Sequence, residues 1–260
     1  MKILFVGDIV GGTGRSMFAR TVQKLKASGE VQLVIANGEN AAGGSGITLA
    51  IADELTKAGA DIITLGDHTW GQREWEATAG QAKNVIRPAN YDANCAGACH
   101  VRLQTAYGPI NVVSLQGQTF MAAVDNPFRA IDALLKTLPR NEPIFVDFHA
   151  EASSEKMAMG WYLDGRVSAV VGTHTHCQTS DAQILPNGTA YISDLGMTAA
   201  CRSVLGREVE PVLKKFRTGV PAKFDVAKGP AKLEGALVDF DREAGKPRSI
   251  TAVRYFEETP

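Results

Sequence analysis

The stretch Met1-Lys2-Ile3-Leu4-Phe5-Val6-Gly7-Asp8 sets the pattern from which the fold is read. Ile3–Val6 is an apolar run of buried-strand length, and a glycine and an acid end it abruptly. The same design recurs down the chain. Leu33–Ala36 runs into Asn37-Gly38-Glu39-Asn40, Asp61–Leu65 into Gly66-Asp67-His68, Ile144–Phe148 into His149, and Ala169–Val171 into Gly172-Thr173-His174-Thr175-His176. Ile110–Leu115 and Ala190–Ile192 add two further buried-strand patterns. Gly235–Phe240 and Ser249–Tyr255 alternate more and read as an antiparallel pair turning around Glu243-Ala244-Gly245-Lys246. Helical patterns separate the early strands. Arg15–Ala27 carries Met17, Phe18, Val22 and Leu25, and Thr48–Ala58 and Pro127–Leu138 are similar, the latter with proline in its first turn. This order predicts an α/β protein whose helices cover a mixed sheet system. The polar clusters fall at the C-terminal ends of strands, where open α/β sheets place their sites.

Bulk composition narrows the classes. No Pro/Ser-rich stretch, low-complexity run or charge block interrupts the 260 residues, so one domain spanning 1–260 is expected. A hydrophobic fraction of 45% suits a sizeable core. The 27 basic and 28 acidic residues leave a net charge of −1, which gives no broad field for nucleic acid or membrane. No stable nucleic-acid complex is expected, although a local metal site could still attract a small phosphodiester or nucleotide. No apolar run approaches a membrane span, and Ile3–Val6 is too short for a signal segment. The expected location is cytoplasmic, with Cys95, Cys99, Cys177 and Cys201 as free thiols. Cys95-x-x-x-Cys99-His100 lacks a second ligand pair at zinc-site spacing. Base rates allow a homo-oligomer.

The clusters carry the chemistry. Asp8 stands at a strand end before Gly11-Gly12-Thr13-Gly14-Arg15, whose glycines could let backbone N–H groups approach an anion at a helix start. That run is neither a P-loop nor a dinucleotide fingerprint, which argues against a dinucleotide-dependent oxidoreductase. A glutamate such as Glu39 can bridge two cations, and Asn40 can add an amide oxygen. Asn-Gly is equally a common turn, and Asp67 beside His68 can be a structural pair. His149 ends a very apolar strand. His174 and His176, two residues apart, face the same side of an extended segment and could approach two adjacent metals. Two metals about 3.5–4 Å apart activate water and clamp a phosphate.

The order Asp, Glu-Asn, Asp-His, His, His-x-His resembles that of the calcineurin-like metallophosphoesterases, and more closely their YmdB-type phosphodiesterase branch. Matching segments are Leu4–Asp8, Asn37–Ala42, Arg87–Asn90, Leu115–Gly117, Asp147–Ala152, Ser154–Lys156, Gly160–Tyr162 and Val171–His176. The resemblance covers nearly the whole chain. It implies a four-layer α/β/β/α sandwich with two mixed β-sheets, a pair of iron or manganese ions, and hydrolysis of phosphodiesters including 2′,3′-cyclic nucleotides. It further implies that Asp8, Glu39, Asn40 and His176 hold one metal and that Glu39, Asp67, His149 and His174 hold the other. A hydroxide shared by the metals would attack phosphorus, with His68 as general acid. Arg87, Gln116, Glu151 and Lys156 are candidates to line the pocket, Arg87 being equally a candidate for a buried ion pair. The family usually has Gly-Asn-His where this chain has Gly66-Asp67-His68. With Asp67, the ligand charge including hydroxide becomes about −4 and cancels two divalent cations, whereas asparagine would leave one positive charge. A phosphomonoesterase or nucleotidase with the same metals, or a non-catalytic regulatory metal-binding protein, are the competing readings.

Overall fold

The computed structural model describes residues 1–257. Two β-sheets lie face to face and helices cover both outer faces, giving an α/β/β/α order of layers. The first sheet has eight strands in the order Asp8–Ile9, Met197–Ala200, Ala231–Asp241, Lys2–Val6, Leu33–Asn37, Ile62–Thr64, Val85–Ile86, with Lys246–Phe256 also paired to Ala231–Asp241. Lys2–Val6 is parallel to Leu33–Asn37 (Phe5 opposite Ile35) and antiparallel to Ala231–Asp241 (Phe5 opposite Ala236), so the sheet is mixed. The second sheet has six strands, in the order Gln183–Ile184, Ala190–Ile192, Ala169–Thr173, Ile144–His149, Gly108–Gln116, His100–Thr105. Its four inner strands are parallel and both edges antiparallel.

Three cores hold the layers. Between the sheets, Phe145 packs against Phe5 and Phe240 with ring centroids 5.8 Å away in each case. All three rings are buried, each worth about 1.5–3 kcal/mol of apolar transfer. Outside the first sheet, helix Gly11–Ala27 buries Met17, Phe18, Val22 and Leu25, the 3.6-residue stripe anticipated from sequence. Outside the second, Ile131, Met159 and Leu163 of the covering helices meet Val113, Val146 and Phe148.

Several elements depart from the sequence reading. Helix Gly11–Ala27 starts at Gly11 rather than Arg15, which puts the glycines inside it. A Cβ on Gly14 would collide with the backbone oxygen of Thr198. Gly14 therefore serves close packing of the helix against the strand Met197–Ala200. Thr48 caps helix Leu49–Ala58 by accepting from the Ile51 amide. Helix Pro127–Leu135 ends three residues before Leu138. Helix Ser153–Leu163 was not anticipated, because its inner face includes Lys156 and Gly160, which break the apolar period. Edge strand His100–Thr105 was hidden by Arg102 and Gln104.

Candidate metal centre

The loops after Val6, Asn37, Thr64, His149 and Thr173 converge at one end of the two sheets. Glycines make this crowding feasible. A Cβ on Gly66 would enter the His149 ring, and one on Gly172 would meet the Ser193 carbonyl. One donor atom from each of Glu39, Asp67, His149 and His174 lies within 4.8 Å of every other. His149 Nε2 is 2.9 Å from Asp67 Oδ1, 3.2 Å from Glu39 Oε1 and 3.0 Å from His174 Nδ1. Beside this quartet, Asn40 joins the remaining candidates. Its Nδ2 is 2.9 Å from Glu39 Oε1, 3.5 Å from Asp8 Oδ1 and 3.4 Å from His176 Nε2. Asp8 and His176 are 3.7 Å apart. The seven candidate ligands thus form one continuous cluster around Glu39. Asn40 points its amide nitrogen inward, so ligation through oxygen requires that amide to turn over.

The histidines arrive by a route that strand alternation does not describe. The strand stops at Thr173, and His174 (φ 101°) and His176 (φ 61°) both take left-handed backbone. A non-glycine residue held there costs about 1–3 kcal/mol and persists only where its surroundings enforce it. The two turns send the rings to different halves of the cluster, His174 toward Asp67 and His149, His176 toward Asp8 and Asn40.

Each of these three imidazoles offers one nitrogen inward and ties the other to protein. His149 Nδ1 lies 2.8 Å from the Thr173 hydroxyl, which itself donates to Asp147 Oδ1 at 2.7 Å. The hydroxyl proton is thereby committed to Asp147, and Nδ1–H donates to Thr173, so Nε2 is the nitrogen turned toward the cluster. His174 Nε2 faces Glu151 Oε2 at 3.0 Å, and His176 Nδ1 donates to the Leu205 carbonyl at 3.1 Å. Outer partners of this kind fix ring orientation in metal sites. Sequence reasoning assigned no role to Asp147, Thr173 or Leu205. Asp147 is further held by Thr64 and Asn37, and burial pushes its pKa up to about 6 against the opposing pull of His149 and the two hydroxyls. Thr173→Val, nearly isosteric, is expected to weaken metal binding about 10–100-fold while circular dichroism stays unchanged; unchanged affinity in metal titrations would reduce Thr173 to a filler.

The charge balance suits cations. Asp8 and Glu39 are fully buried, and among the described residues neither is bonded to lysine or arginine. Burial raises the Asp8 pKa despite the pull of His176 and His149. Burial acts the same way on Glu39 and Asp67, but the charge of His149 and its hydrogen bonds, joined by those of His68 and His174, win and bring both below the ordinary carboxylate range. His149 itself is pushed down by burial and pulled up more strongly by Glu39 and Asp67, ending well above 6.5. The donor set of carboxylates, imidazoles and an amide therefore fits divalent metal. Metal entry must displace the His149 proton, so affinity is expected to rise with pH by about tenfold per unit per proton released below that raised pKa. Metal titrations at several pH values would check this slope.

His68 sits apart from the inward-facing nitrogens. Its backbone N–H donates to Glu39 Oε2 at 3.0 Å, its Nδ1 is 3.1 Å from Glu39 Oε1, and its side chain is 43% exposed. The hydrogen bond to Glu39 raises its pKa, with burial opposing. Two pocket candidates prove to be scaffold. Arg87 is buried and donates to the carbonyls of Pro88, Asp92, Cys95 and Ala96, so it ties the following loop and, among the described residues, neither lines the pocket nor forms an ion pair. Lys156 is buried against Asp194 at 2.6 Å. Gln116 does line a cavity that reaches Asp67. The four cysteines are unpaired and none belongs to the cluster. Among the described residues no helix is long and apolar enough to cross a membrane.

The chain is 45% identical over 254 residues to the 2′,3′-cyclic-nucleotide 2′-phosphodiesterase of Bacillus subtilis (strain 168), covering 97% of this chain and 96% of that one. A crystal structure from Mycoplasma pneumoniae, described as a novel phosphatase, superposes with a TM-score of 0.93 at 33% identity, covering 100% of this chain and 95% of that one. A hypothetical protein from Thermus thermophilus gives the same TM-score of 0.93 at 40% identity, covering 99% of this chain and 100% of that one. The family model of the YmdB-like proteins matches residues 4–253, and the chain belongs to that family.

Proposed function

We propose that the protein is a dinuclear metal-dependent phosphodiesterase whose substrates include 2′,3′-cyclic nucleotides. Asp8, Glu39, Asn40 and His176 would hold one cation, and Glu39, Asp67, His149 and His174 the other. The observation that carries this reading is the pair of buried carboxylates, Asp8 and Glu39, facing imidazole nitrogens whose opposite nitrogens are already committed. The name of the Bacillus subtilis relative supports the substrate class. Two bound cations would supply a nucleophilic water near neutral pH and an electrostatic clamp on the phosphate. Iron or manganese suits these nitrogen and oxygen donors, and the unpaired cysteines suit a reducing cytoplasm.

The chain's own contribution to the chemistry centres on His68. Glu39 orients it through two contacts and favours its protonated form. Its Nε2 has no protein partner among the described residues, which leaves a proton free to pass to a departing ribose oxygen. Hydrolysis of 2′,3′-cyclic AMP should accumulate a nucleoside monophosphate that the enzyme leaves intact. Faster consumption of adenosine 3′-phosphate than of the cyclic diester would instead make the protein a monoesterase.

Asp67 tunes the same site. It adds a negative charge where the family resemblance leads one to expect asparagine, and it contacts both His149 and His174. Asp67→Asn is expected to bind metal less tightly and, at saturating metal, to turn over an anionic diester faster. Equal or lower turnover at saturation would refute the charge argument.

A further inference from the structure

We propose that the cavity of about 610 Å³ beside Asp67 is the subsite for the substrate's nucleobase, with Trp70 as its stacking face, and that it accepts all four bases. This inference rests on the phosphodiesterase reading and adds the part of the substrate that the metal cluster does not address. The cavity is bounded by Asp67 on one side, so a group entering it lies next to the cluster. Trp70, 37% exposed, lines it and is backed by Tyr91, with ring centroids 6.3 Å apart and planes inclined by 30°. Tyr91 is anchored in turn. Its hydroxyl reaches Gln116 Oε1 at 2.6 Å and the Gly66 carbonyl at 3.1 Å. Gly66 precedes Asp67, so the aromatic pair is fixed relative to the metal ligands before any ligand arrives. A rigid, partly exposed aromatic surface of this kind suits the face of a base.

Two further observations define what enters. The amides in the wall are mostly engaged within the protein. Asn90 Nδ2 donates to the carbonyls of Gln116 and Asp125, Asn90 Oδ1 accepts from the Gln116 amide, and Gln116 Nε2 donates to Ala122. Of the side-chain amide N–H donors in the wall only one, on Gln116, is left over, too few to read the edges of different bases, which favours stacking without selection. The lining also contains Asp67, Asp92 and Asp125 and neither lysine nor arginine. A second phosphate, as in an RNA chain, would be repelled there, whereas a neutral base is admitted. The subsite therefore fits a mononucleotide cyclic diester.

The test compares 2′,3′-cyclic AMP, GMP, CMP and UMP with glycerol 1,2-cyclic phosphate, which has the reacting ring but no base. Trp70→Ala should lower kcat/KM for the cyclic nucleotides, mainly through KM, by about 5- to 150-fold more than for the glycerol compound. Trp70→Phe should restore most of the difference. Equal losses on both substrate types, or none, would overturn the proposal, and a preference above a hundredfold for one base would overturn its base-tolerant part. Equilibrium dialysis with adenosine 3′-phosphate separates this inference from the catalytic one. Metal-loaded protein that hydrolyses no diester yet binds this nucleotide in a Trp70-dependent way would sink the hydrolase reading and uphold the subsite. Binding unaffected by Trp70→Ala would sink the subsite whatever the turnover.

Discussion

His68→Ala is expected to keep its full metal complement and lose turnover by about 10²–10⁴-fold, the usual worth of a positioned general acid. The expectation follows from where the imidazole stands. His149, His174 and His176 each commit one nitrogen to an outer partner and offer the other to the cluster. His68 reverses the arrangement, with Nδ1 against the Glu39 carboxylate and Nε2 open. Glu39 raises its pKa, so lowering the pH should not impair its proton supply, whereas raising the pH through that pKa should remove it. The alkaline limb of the kcat profile should therefore disappear in His68→Ala. Leaving groups of low pKa need little protonation, so a p-nitrophenyl diester should show a much smaller loss than a ribose diester. Metal content measured on the purified variant decides the role. Loss of a metal ion would turn His68 from proton donor into ligand.

Glu39→Gln should be the more severe change, because one carboxylate serves the whole cluster. Glu39 touches Asn40, His68 and His149 and accepts the His68 backbone amide. It is fully buried. The amide keeps the shape and removes the charge. Metal affinity should fall by more than the 10–100-fold expected for an outer partner such as Thr173, and turnover should be lost with it. His149 should also lose much of its raised pKa, since the Glu39 charge is the foremost pull on it. Exposed Glu54, paired with Arg15, provides the control position. Two metals retained at wild-type affinity in Glu39→Gln would show that Glu39 is not shared between them.

Much of this arrangement was legible in the chain. Ile3–Val6, Leu33–Ala36 and Ile144–Phe148 are buried on both faces between sheet and helices, so their runs are apolar without alternation, and each polar residue that follows marks a strand end. The spread of Asp8, Glu39, Asp67, His149 and His174 over more than half the chain is closed by parallel topology, which returns every one of those strand ends to the same side. The outer shell was not legible for a physical reason. Asp147 lies within an apolar strand and Thr173 at the end of the next, and only the register of Asp147 opposite Val171 and of His149 opposite Thr173 shows that they meet. The left-handed turns at His174 and His176 are equally unreadable, since histidine is enriched at positive φ but still adopts it in only a small minority of positions. Arg87 illustrates the converse, a charged residue in a family-like segment whose partners are four backbone carbonyls, none visible as an acid in the sequence.

The most direct test of the central claim is the metal stoichiometry of protein purified at neutral pH and loaded with manganese, read by elemental analysis with electron paramagnetic resonance on the same sample. Two ions per chain with a spin-coupled signal is the predicted result, because a shared Glu39 brings the two ligand sets together. A single uncoupled ion per chain, held by the Glu39–Asp67–His149–His174 quartet alone, would contradict the dinuclear centre and the phosphodiesterase mechanism built on it.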